Sequence, residues 1–190
     1  TASIRVQPVS PGSIPKCTSL FLASCSRPLL DACVSALRAH ATLSETAAYV
    51  ADASDTWKLC EDASHAALSS DEADVTHVVC VTQDQFGVVR EATRAFDLAS
   101  YFGALASARA TSAALLPWTP PRSFHFAAGN LIGYARVLKS TQTLLDSHPR
   151  MLGACPPGTT MFATQQVQGR GRGSNVWTVS YTHLTLPTIY

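Results

Sequence analysis

The stretch that decides the fold is NLIGYARVLKSTQTLLDSHPR (130–150), continued after a short connection by GTTMFATQQVQGRGRGSNVW (158–177). Asn130 to Leu138 is an apolar run of strand length, and Ser140 stands at its end, where a short helix, STQTLLDSHPR, begins. Ser140 or Thr141 can cap that helix, and Pro149 helps to stop it. GTTMFATQQ (158–166) is the next strand, and it leads straight into an arginine–glycine loop. The order strand, helix, strand, loop predicts an α/β fold.

Working outward toward the N-terminus, TSAALLPWTPPRS (111–123) has three prolines and little periodicity, so it is the predicted linker. It divides an accessory α/β region, 1–110, from a second unit that opens at Phe124. Within the first region, SLFLA (19–23) is a strand, followed by a helix capped by Ser26, with Pro28 in its first turn and Leu29, Leu30, Cys33 and Leu37 on one face. The stretch from Thr46 to Asp62 alternates as a hairpin turning near Ser54 and Asp55, SSDEAD (69–74) reads as a loop, and Thr76–Thr82 is a buried strand. FDLASYFGALASARA (96–110) reads as a helix docking through Phe96, Ala99, Phe102 or Gly103, and Ala106.

The composition limits the function classes. The chain has 190 residues, 46% hydrophobic, with a formal net charge of +1, so no general field draws it to nucleic acid or an anionic membrane. No apolar run approaches the ~20 residues of a membrane span. The six cysteines form no CxxC pair and the six histidines no HxxxH spacing, so neither a zinc site nor a disulfide framework is expected. Free thiols fit a reducing compartment such as the cytoplasm. His125 and His148 read as surface residues without a role.

Glycines at 169, 171 and 173 let a ligand approach the backbone closely, and successive amides in such a turn form an anion-holding nest. Arg170 and Arg172 add forked donors matched to carboxylate or phosphate. The spacing fits neither GxGxxG nor the Walker pattern. RGG-type segments also bind RNA, but this is a single copy that follows an apolar strand.

Two motifs here resemble biotin–protein ligases, or holocarboxylase synthetases, most closely the fungal branch: STQTLL (140–145) and FATQQVQGRGRGSNVW (162–177). The resemblance implies that 124–177 is the truncated start of a biotin/lipoate ligase-like catalytic domain with a mixed sheet. It implies an enzyme joining biotin to ATP, with Mg²⁺, as biotinyl-5′-AMP, then passing biotin to a lysine on the acceptor domain of a carboxylase. On this resemblance Ser140, Thr141, Gln142, Gln166, Gly169, Arg170 and Gly171 bind biotin, and Arg172, Asn175 and Trp177 bind ATP and the adenylate. Arg172 is the catalytic member, since charge at the α-phosphate must be neutralised. Gln142 and Ser174 depart from the family's common Asn and Gly. A lipoate ligase or octanoyl transferase of the same fold is the nearest rival, ahead of an RNA-binding arginine–glycine module.

The family's lysine, in a Lys-Trp-Pro-Asn-like motif, is expected downstream of Trp177. Instead Val179–Thr188 can be read as the in-frame translation of a transposase sequencing adapter, with Thr178 completed by the bases before it, so 178–190 are expected to be adapter translation and Tyr181, His183 and Tyr190 to carry no function.

Overall fold

A computed structural model describes residues 17–43, 47–52, 55–60, 63, 75–115, 128–170, 176–179 and 183–185. Among them a mixed sheet of nine strands separates two apolar clusters. The strands are β1 (Leu20–Ser24), β2 (Thr42–Leu43), β3 (Ala48–Asp52), β4 (Asp55–Cys60), β5 (Val75–Thr82), β6 (Leu131–Leu138), β7 (Thr160–Arg170), β8 (Val176–Val179) and β9 (His183–Thr185). Their order is β2-β3-β4-β5-β1-β6-β7-β8, with β9 also on β7. The helices are α1 (Arg27–Arg38), α2 (Leu98–Leu115), α3 (Thr141–Asp146) and α4 (Pro149–Ala154).

Apolar runs with no polar face become interior strands, because both of their faces are covered. β1 is buried at every residue and lies between β5, which is parallel to it, and β6, which is antiparallel. On one face, Leu30, Cys33, Val34 and Leu37 of α1 join Leu144, Leu145, Met151 and Ala154 of α3 and α4 against the strands. On the other, Phe86, Val89, Leu98 and Phe102 pack on Phe21, Ile132, Tyr134 and Phe162. Phe96 lies against Tyr134 and Phe162, with ring centroids 5.1 and 4.9 Å away.

The α/β class, the β1–α1 unit and the β3–β4 hairpin stand as expected, Asp52 pairing with Asp55 at the turn, although Ser26 takes the N-cap position of α1 without a side-chain capping bond. Several details differ. α2 continues to Leu115, into the start of the expected linker, and 116–127 lie outside the described residues, as does the expected loop at 69–74. The sheet is shared by both expected regions, since β1 pairs with β6. α2 docks through Leu98, Phe102 and Leu105, while Ala99 and Ala106 are exposed, because larger side chains gain more from burial. Pro149 does not merely end a helix. It occupies the first turn of α4, where its missing N–H costs nothing. β9 and the end of β8 fall in the stretch expected to be adapter translation, and both pair with β7.

Candidate functional site

β6, α3, α4 and β7 form one crossover unit, and its two strands run parallel with Val137 beside Gln165 and Leu138 beside Gln166. Such a unit brings the carboxyl end of one strand and the start of the following helix beside the carboxyl end of its neighbour, where open α/β sheets bind ligands. Here that place holds Ser140, Thr141 and Gln166. Ser140 Oγ accepts from Thr143 N at 3.3 Å and so caps α3. Gln166 Oε1 accepts from Thr141 N at 2.9 Å and lies 3.4 Å from Thr141 Oγ1. All three residues are buried, and Gln168 N donates to Lys139 O at 2.8 Å to close the strand ends together.

Gln142, one residue further along α3, is exposed. Gly169 is buried and, like Arg170, belongs to β7 rather than to a loop, with Gly169 opposite Trp177 and Arg170 opposite Val176. The strand outruns its expected end at Gln166 because a register shift between Gln166 and Gly169 absorbs the irregularity. Gly171, Arg172 and Asn175 lie outside the described residues, so the expected amide nest does too.

Close by, Tyr134 Oη and Thr164 Oγ1 are 2.9 Å apart, and burial pushes the Tyr134 hydroxyl up, keeping it protonated. None of the six cysteines is joined in a disulfide. A hydrogen bond with Cys33, together with burial, raises the Cys155 thiol well above its ordinary range, while the same bond lowers the Cys33 thiol against the opposing effect of burial. A groove of about 1070 Å³ lies elsewhere, between the start of α1 and α2, lined by Cys25, Phe86, Phe102 and Arg109 among others. None of the expected site residues lines it.

Two features escaped sequence reading. His148 is not on the surface: it is 4% exposed, with Nδ1 2.9 Å from Leu144 O and Nε2 2.8 Å from Asp55 Oδ2. Asp52 is buried too, accepting from Met151 N at 2.9 Å in the first turn of α4. The only local signal was an acidic residue on each side of a hairpin turn, which ordinarily means solvent.

No protein-family model matches the chain, and no solved structure matches it. No helix among the described residues is long and apolar enough to cross a membrane. Over 55 residues, 29% of this chain, the sequence is 44% identical to a biotin–protein ligase of Schizosaccharomyces pombe, and the match spans 9% of that relative's length.

Proposed function

We propose that Asn130–Trp177 forms the biotin-binding opening of an ATP-dependent biotin–protein ligase, and that the chain is a piece of that larger enzyme, inactive by itself. The observation that supports this most is the joining of Thr141 to Gln166 at the carboxyl end of a parallel strand pair, with Gly169 and Arg170 further along the same strand. The partial similarity to a biotin–protein ligase points the same way.

On this reading Ser140, Thr141 and Gln142 face the ureido ring of biotin, and Gln166, already oriented by Thr141, contacts it. Gly169, Arg170 and Gly171 enclose the carboxylate, and Asn175 and Trp177 hold the adenylate. A carboxylate oxygen of biotin attacks the α-phosphorus of ATP, the new P–O bond forms, and pyrophosphate leaves. Arg172 offsets the charge that builds there, a role whose loss typically costs about 3–4 kcal/mol in the transition state. The amine of a lysine on a carboxylase carrier domain then attacks the acyl carbon and releases AMP. Magnesium enters with ATP as part of the substrate. Among the described residues no group of three or more His, Cys, Asp or Glu is placed to hold a metal ion. The cytoplasm is the compartment this activity and the free thiols suit.

The test is pyrophosphate release by the complete enzyme with biotin and ATP. Arg172→Gly should let biotinyl-5′-AMP escape into solution, and equal retention by variant and parent would remove Arg172 from its role. Free lipoate competing as well as biotin would favour the lipoate ligase reading.

A further inference from the structure

A helix as short as α3 has little stability of its own, so the groups that hold its ends set where Ser140 and Thr141 stand. His148 follows the helix and reaches back to the Leu144 carbonyl with Nδ1, while Nε2 faces Asp55 Oδ2. The other oxygen of the same carboxylate, Asp55 Oδ1, is 3.6 Å from Nζ of Lys139, the residue just before Ser140. One carboxylate on β4 thus reaches both flanks of the helix that carries the site. Its surroundings reinforce the placement. Trp57 of β4 meets the His148 ring edge-on with centroids 5.0 Å apart, Asp52 holds Met151 N, and Arg150 donates to the Ala51 carbonyl.

We propose that Asp55 is a positioning residue for the Ser140–Thr141–Gln166 site, acting through His148 and Lys139, and that the β3–β4 hairpin thereby sets the ligand affinity of a site it does not touch. The assignment of biotin as that ligand rests on the function proposed above. The positioning itself rests on the contacts of a single carboxylate.

The test compares Asp55→Ala, Asp55→Asn, His148→Ala, the double variant Asp55→Ala/His148→Ala and, as a control on an exposed carboxylate of α1, Asp31→Ala. Two readouts are taken on the full chain: biotin affinity by ligand-observed NMR titration, and hydrogen exchange of the Leu144 and Ser147 amides, which close α3 onto Ser140 O and Thr143 O. Asp55→Ala should weaken biotin binding by about tenfold and speed exchange in α3. Asp55→Asn, which keeps an oxygen for the imidazole, should recover most of both losses. The double variant should lose little beyond Asp55→Ala, because the two groups act in one path. Parent-like affinity in Asp55→Ala, or losses that simply add, would overturn the proposal. If the parent chain binds no biotin, the ligase reading fails and exchange alone decides: unchanged α3 protection in Asp55→Ala overturns the positioning role, and faster exchange there but not in Asp31→Ala upholds it.

Discussion

Replacing Gln166 with Met keeps the side chain's length and removes the oxygen that Thr141 uses. Gln166 is 4% exposed and Thr141 1% exposed, so water does not readily take the place of that oxygen. The bond lost is a 2.9 Å contact to a backbone amide in the first turn of α3, and the 3.4 Å contact to the Thr141 hydroxyl adds little. A typical intramolecular hydrogen bond contributes about 1 kcal/mol net, and burying a donor without its acceptor costs about 1–3 kcal/mol. The better packing of a thioether offsets part of this, which leaves an expected loss of about 2 kcal/mol. In urea, the midpoint should fall while the slope stays fixed, since the buried area is unchanged. The thermal midpoint should fall by about 4–8 °C for a chain of this size. A Gln166→Met variant within about 0.5 kcal/mol of the parent would show that the Thr141–Gln166 contact does not hold the two strand ends together.

Other consequences follow from the same structure. Leu22→Ala should cost about 2–5 kcal/mol in chemical denaturation, because Leu22 is fully buried on the central strand β1; a loss under 1 kcal/mol would argue against that placement. Asp97 accepts from Ser100 N at the start of α2, and that bond holds its carboxyl below the ordinary aspartate range. A lowered folded-state value means stability that is present above the unfolded value and lost as pH falls through the folded one. Asp97→Ala should therefore destabilise the chain at neutral pH and not in strong acid, and an equal deficit at both would refute the capping role. Arg109→Ala should loosen the link from α2 to Asn130 and Ala128, visible as faster exchange at the Gly129 amide; unchanged exchange would contradict it.

Much of the fold was legible because its strands are apolar runs set between turn residues. Leu20–Ser24, Leu131–Leu138 and the start of β7 could be read from such runs, and Ser140 could be read as a cap from its place between strand and helix. Strand order was not legible, since nothing local in Leu20–Ser24 says that it will lie between Val75–Thr82 and Leu131–Leu138. Thr141 and Gln166 could be picked out as candidates from their motifs, but their hydrogen bond depends on the register that sets Leu138 beside Gln166. His148 was misjudged, and Asp52 went unremarked, for one physical reason. Polar side chains beside a turn read as solvated, yet each is buried against a partner about a hundred residues away in the chain, supplied only by the tertiary fold.

The most direct test of the account is saturation-transfer NMR of biotin against the chain, repeated with lipoate as competitor and with the Gln166→Met variant. The account predicts saturable transfer to biotin that lipoate does not displace and that Gln166→Met abolishes. No transfer to biotin, or equal displacement by lipoate, would contradict it.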